Sequence, residues 1–406
     1  YRSGSRMKIA IVNHVHPDTP HVSALRMREF ARVLAGQGDR VVLLTGTLAA
    51  SDRGDDASLL GEQIAVHDWS SPLHVCCAPV IAPLHRAARE GQIASPFRQM
   101  VIGGAYMFGT GIFRDWWKGA ASLNPAIAGA FGPDVVYATF GNTDTWTVAR
   151  DLARRAGCPW VADYKDPWNR FVPAGLRKIV ARRLADMAAM TTFSANHLRD
   201  ADTWFACDKH VVYSGYTNEA QVPPPGRGGD ALQVCLSGSV YSEDLLATLI
   251  EGLKLVATSR SVSLSYAGND GALVGRYSNQ RNSTFDLDNR GYLEASALGA
   301  LQRSADVNVY VRNADSLFQQ KLIELLAAGK PILSVPDEST EAIEIARHTG
   351  GRLQTAETPA AIAEVISRLH RPPGAAGKFN GVQAYSWLAQ AKKLRRVLAD
   401  AAGVSE

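Results

Sequence analysis

LFQQKLIELLAAGKPILSV, residues Leu317 to Val335, reads as a helix, a glycine stop and a short buried strand. Phe318, Leu322, Leu325 and Leu326 recur at helical spacing, Gly329 suits the turn that ends a helix, and Pro331 forbids its continuation. Ser316 with Gln319 forms a capping-box pattern at the front. The other face carries Gln320, Lys321 and Glu324, a polar stripe that either faces solvent or lines a cleft. A lysine in the first turn opposes the helix dipole, and Lys before Glu is the weaker pair orientation, so a bound anion would explain Lys321 better. Pattern alone leaves a solvated Lys321–Glu324 pair as the simpler reading.

Working outward, the second half opens at ALQVCLSGSVY, a strand ending in a small-residue loop, followed by the helix SEDLLATLIEGLKLVATS and the strand VSLSYAGND. NRGYLEASALGALQRSA and the strand DVNVYV then lead to the stretch above. Before this half lies TNEAQVPPPGRGGD, rich in proline and glycine without apolar period, the clearest linker in the chain.

The first half has the same architecture with a different sequence. Lys8–Val12, a polar loop NHVHPDTPH and SALRMREFARVLAGQGDRVVLLTG form a strand–helix–strand crossover of parallel-sheet type. The loop at the carboxyl end of a first strand is where doubly wound sheets bind ligands, which draws attention to His14, His16 and His21. Three histidines without a fourth ligand make no metal case. Further on, ADYKDPW places Asp163, Lys165 and Asp166 after another strand. A carboxylate there can orient an acceptor hydroxyl or take its proton, or Asp166 simply caps the turn before Pro167 and Trp168. The aromatic segment FRQMVIGGAYMFGTGIFRDWWKGAASL suits a packed helical insert or acceptor wall better than an interfacial membrane helix, because its glycines weaken the helix. A final amphipathic helix, roughly Gln383 to Ala402, is expected to strap onto one of the domains.

The totals narrow the function classes. At 406 residues and 46% hydrophobic the chain is too long for one simple core, and two domains are expected. A net charge of +4, spread without basic blocks, gives nucleic-acid binding no support. Five cysteines without a regular framework argue against a disulfide scaffold and for a reducing cytoplasm. Met7 reads as a natural start, and the preceding YRSGSR is set aside. No signal peptide or membrane span is read.

With KIAIV and SALRMREFARVLA, ADYKDPW, VCLSGSVY and above all KLIELLAAGKPIL in this order, the chain resembles a nucleotide-sugar-dependent glycosyltransferase of the GT-B fold, similar to glycosyltransferase family 4. The resemblance implies an α/β protein of two Rossmann-like domains facing across a cleft. They would be an acceptor-binding domain at 7–216, a linker at 217–230, a nucleotide-sugar-binding domain at 231–378, and a helix at 379–406 packing back toward the first. Glu324 matches the second glutamate of a motif with two glutamates eight positions apart and would bond the donor ribose hydroxyls; the first position is Ser316 here. Backbone groups of Leu317 and Phe318 would face the diphosphate, beside Gln320 and the loop of Gly238 and Ser239, and Gly291 and Tyr292 would contact the nucleobase. The family's Arg and Lys of that loop correspond to Ser239 and Asp244, which makes Lys321 the candidate for the missing positive charge.

Asp166 and Asp163 fall near the family's acceptor residue, with His14, His16 and Trp168 as acceptor-side neighbours. The expected reaction moves a sugar from a UDP, GDP or dTDP donor to the hydroxyl of a glycan, lipid-linked or small-molecule acceptor, with retention and without a metal. Inversion with Asp166 as base stays open. Asp286-Leu287-Asp288 spells the metal triplet of a different transferase fold, but is read as part of a polar loop, NQRNSTFDLDN, and taken as chance. A monomer or homodimer, with peripheral contact at the inner membrane face, completes the expectation. An epimerase of the same fold and a silent nucleotide-sugar-binding partner are the competing readings.

Overall fold

The computed structural model describes residues 6–216, 231–277, 284–369 and 381–404. Internal contacts divide the chain into two units, Tyr1–Ser214 with Trp387–Glu406, and Gly215–Ser386. The expected linker at 217–230 lies outside the described residues.

The first unit is built on seven parallel strands, β1 (Lys8–Val12), β2 (Arg40–Gly46), β3 (Leu73–Cys77), β4 (Val135–Thr139), β5 (Trp160–Tyr164), β6 (Ala189–Thr192) and β7 (Lys209–Val211). They are ordered β3-β2-β1-β4-β5-β6-β7. Ile9 pairs in register with Val41 on one side and Val135 on the other, so β1 sits inside the sheet. Strand period then sorts the side chains. Ala10, Val12, Val42, Leu44, Val136 and Ala138 face a core closed by helices Arg114–Ala126 and Thr143–Ala156. Ile9, Ile11, Val41, Leu43, Val135 and Tyr137 face Phe30 and Leu34 of helix Val22–Gly36 and Trp387, Leu394 and Leu398 of the last helix.

That last helix begins at Trp387, after a short turn at Val382–Tyr385, and runs to Ala402. It packs on the first unit, as expected of a strap, with Arg395 holding the Asp39 carboxylate at 2.8 and 3.0 Å. The aromatic segment becomes two helices, Phe97–Phe108 and Arg114–Ala126, broken at Gly109 and Gly111, while Gly103, Gly104 and Gly119 stay within them. Tyr106, Trp116 and Leu123 are buried, while Phe97, Met100 and Phe108 are exposed.

The second unit carries β8 (Leu232–Ser237), β9 (Val262–Ala267), β10 (Phe285–Asn289), β11 (Val307–Val311), β12 (Ile332–Val335) and β13 (Leu353–Thr355). Its six parallel strands are ordered β10-β9-β8-β11-β12-β13. Helix Glu243–Ala257, capped by Ser242 through the Leu245 N–H, presses Leu246, Leu249, Ile250 and Leu253 into its core.

Two expectations need correction here. The helix of the deciding stretch covers only Lys321–Ala327, with no capping box: the Ser316 hydroxyl donates instead to Phe318 O at 2.8 Å, and Gln320 at the N-cap makes no side-chain cap bond. Phe318 is buried, so burial of the turn before the helix displaces its start. Gly329 does end it, at φ +72°. Asp286-Leu287-Asp288 lies on edge strand β10 rather than in a loop, with Asp288 paired to Arg290 at 2.5 Å.

Candidate active site

In each sheet the strand order reverses beside the first strand, between β8 and β11 in the second unit and between β1 and β4 in the first. A doubly wound sheet binds ligands at the carboxyl ends of its strands at that reversal, because adjacent loops there diverge to opposite faces. Each unit has polar residues at this point.

In the second unit the loop after β8 meets the helix that follows β11. Lys321 Nζ lies 3.5 Å from Ser237 O and 3.4 Å from Ser239 O, below Gly238, whose φ of +85° and missing side chain let the loop close over the ammonium. The rings of Tyr241 and Tyr310 flank Nζ at 5.6 and 5.7 Å. Among the described residues Lys321 makes no ion pair. Burial pushes its pKa down to about 8, against the opposing influence of Glu324, Asp270 and Glu338. Lys321 and Glu324 are enclosed by protein yet keep part of their surface accessible, which describes a recess rather than a core.

One turn on, Glu324 accepts from Gln320 Nε2 at 3.3 Å, and burial raises its pKa while Gln320 and Lys321 offset part of the rise. The Gln319 side-chain amide and Gln320 Oε1 are buried with no hydrogen-bond partner among the described residues. Buried polar atoms left this way point to a ligand or ordered water. The neighbouring loops are tied together: Tyr266 donates to Gly238 O at 3.2 Å, Gly268 N to Gly291 O at 2.9 Å, and Val240 N to the Asp270 carboxylate at 2.8 Å. Gly291, at φ +63°, and exposed Tyr292 follow β10 on the same edge. Leu317 and Phe318, expected to face the diphosphate, lie in the turn that precedes helix Lys321–Ala327.

In the first unit His14 follows β1 and Gly141 follows β4. A Cβ on Gly141 would lie 2.6 Å from the His14 ring, so glycine is required by close approach. His14 Nδ1 is buried with no hydrogen-bond partner among the described residues, and burial, aided by His21, Lys165 and Arg89, pushes its pKa down to about 3. Lys165 and Asp166, after β5, pair at 2.5 Å. Both also act electrostatically on His21, whose ring nitrogen caps helix Val22–Gly36 at Ser23 N. Asp166 keeps 27% of its side chain exposed, which leaves it reachable.

Of the other acceptor-side candidates, Asp163 and Trp168 are corrected by burial. Asp163 is fully buried, bonded to Arg26 at 2.7 and 3.0 Å and to Thr191 at 2.8 Å; with its oxygens committed to a buried ion pair, it is a structural group. Trp168 is also fully buried, stacked on Trp146 at 5.8 Å and packed on Phe140 and Phe205, so it belongs to the core. His16 turns toward His74 on β3, ring to ring 4.8 Å. Sequence reasoning did not find Tyr241, Tyr310 or the unpartnered amide of Gln319, because ring placement and missing partners leave no trace in local pattern.

No protein-family model and no curated protein matches the chain. Solved structures do. A glycosyltransferase from Rickettsia africae aligns with a TM-score of 0.64 at 13% identity, over 99% of this chain and 100% of that one. HepE of Anabaena, solved with UDP-glucose, aligns at 0.60 and 15% identity over 97% and 100%. A Listeria monocytogenes protein described as a UDP-N-acetylglucosamine 2-epimerase aligns at 0.55 and 11% identity over 99% and 98%. At these identities the likeness establishes the fold, the pair of Rossmann-like units of GT-B enzymes.

Proposed function

We propose that this protein is a glycosyltransferase that moves a sugar from a nucleoside-diphosphate donor to an acceptor hydroxyl. The observation that carries the reading is the Lys321 ammonium, without an ion-pair partner among the described residues and seated at the strand-order reversal under a glycine loop. A diphosphate bound there meets the Lys321 ammonium directly, and as the glycosidic bond to phosphate breaks, Lys321 stabilises the charge developing on the leaving group. Glu324 accepts hydrogen bonds from the ribose hydroxyls, each strengthened by its negative charge. Ser316, Gln320, Ser239, Gly291 and Tyr292 border the donor. UDP is the first nucleotide to test, since HepE was solved with UDP-glucose.

On the acceptor side His14, neutral at physiological pH, offers a hydrogen bond to an incoming hydroxyl, and Asp166 orients it. The donor phosphate takes the acceptor proton in a retaining, metal-independent transfer, so no strong protein base is needed. Exposed Phe97, Met100 and Phe108 support peripheral contact with a membrane carrying a lipid-linked acceptor. No described helix is long and apolar enough to cross a membrane.

Thermal-shift titration with UDP, GDP and dTDP tests the donor site, because a ligand binding only the native state raises its stability. Stabilisation of the parent and loss of it in Glu324→Ala are expected; equal stabilisation in both removes the assignment. Donor incubation then separates the reactions: slow hydrolysis marks a transferase and interconversion of the sugar an epimerase, the reading the Listeria likeness keeps open.

A further inference from the structure

On the face of the first sheet opposite Val75 and Cys77, β3 presents His74 and Cys76, two residues apart and therefore on one side. Cys76 is in register with Thr45 on β2. The loop after β1 brings His16 against them, its ring 4.8 Å from that of His74. Cys76 Sγ lies 3.3 Å from His74 Nε2, and ligand atoms of His16, His74 and Cys76 all fall within 4.8 Å of one another. All three side chains are half-buried, neither sealed in the core nor loose in solvent.

We propose that His16, His74 and Cys76 bind a zinc ion, with the fourth position taken by water or by the Asp18 carboxylate. Tetrahedral zinc with Zn–N of about 2.0–2.1 Å and Zn–S of about 2.3 Å sets ligand atoms roughly 3.3–3.6 Å apart. The Cys76–His74 spacing already fits, and the remaining closure is a rotation of His16 on its loop. A thiolate with two imidazoles is a donor set for zinc and other late transition metals, and a poor one for magnesium or calcium. The surroundings also suit a metal site. His16 Nδ1 accepts the Asp18 N–H at 3.1 Å and lies 3.8 Å from an Asp18 carboxylate oxygen, which sets that carboxylate at the rim of the cluster. Asp55 accepts the Cys76 N–H at 2.6 Å and fixes that strand end.

Without metal the groups satisfy one another: Thr45 donates to Gly46 O and lies 2.7 Å from His74 Nε2. Zinc exchanges that hydrogen bond for a coordinate bond from His74 Nε2, whose ring proton moves to Nδ1, His16 supplies a second, and Cys76 binds as thiolate while its proton passes to solvent. The ion then ties the loop after β1, which also carries His14, to the edge strand β3. This inference concerns a site on the first unit and does not depend on the transfer reaction.

The test uses the full chain without a polyhistidine tag, stripped with chelator. Zinc titration against a chromogenic chelator should give one tight equivalent and raise the melting temperature. Cobalt substitution should give a near-ultraviolet thiolate charge-transfer band and intense tetrahedral ligand-field bands. Cys76→Ser should abolish the charge-transfer band, and His16→Ala, on a loop where folding is not at stake, should weaken zinc by about tenfold or more. Cys158→Ser and Cys207→Ser should change nothing. Failure of the parent to take up zinc, absence of the thiolate band, or unchanged affinity in both Cys76→Ser and His16→Ala overturns the site.

Discussion

Gly238 and Lys321 compete for one space: a Cβ built on Gly238 would stand 2.9 Å from Lys321 Nζ. The glycine is needed twice, for its φ of +85° and for the room it leaves. Gly238→Ala should cost about 1–2 kcal/mol from the left-handed backbone, read as a lower urea midpoint. The lysine tip can swing aside, so the larger effect is functional. UDP affinity should fall well beyond what the stability loss explains, and unchanged affinity would separate the loop from the anion site.

Lys321 also predicts a pH dependence. Its folded pKa, about 8, lies below the ordinary 10.5, so between those values the unfolded chain binds the extra proton. Stability contributed by this group therefore rises with pH across that window. Anion binding runs the other way, since the ammonium is what attracts the diphosphate. UDP affinity should weaken as pH climbs through about 8, and calorimetric titration of Lys321→Met should show weaker binding without that step.

Arg26 and Asp163 form a fully buried, bidentate pair joining helix Val22–Gly36 to β5. Arg26→Met alone strands a carboxylate in the core and should destabilise by about 3–5 kcal/mol. The double variant Arg26→Met, Asp163→Leu should recover a large part of that loss. Denaturant unfolding of the two variants decides it; additive losses would mean that the pair is not one electrostatic unit.

Acid stability should depend on two histidines. His14 and His197 are both held neutral by burial, each with a pKa pushed down to about 3 from 6.5. A depressed folded pKa gives stability that is present above 6.5 and lost progressively as pH falls toward 3. His197→Gln removes one titrating group, so its urea midpoint should fall less than the parent's between neutral and mildly acidic pH. Parallel profiles would show that His197 is not coupled to folding.

The chain order of apolar strands, helix caps and glycine stops was enough to specify two parallel α/β sheets, because strand and helix periods are local properties of neighbouring residues. The same locality marked His14 as a residue after a strand end and Lys321 and Glu324 as a polar stripe on a helix. Tertiary structure alone decided which polar groups have partners. Asp163 and Trp168 stand in the same motif as Asp166, yet the first is neutralised by Arg26 and the second stacked on Trp146, both far away in sequence. It also moved the helix start from Ser316 to Lys321 by burying the intervening turn, and joined His16 to a histidine and a cysteine on β3. Charge compensation and coordination depend on distance in space, which a linear pattern does not encode.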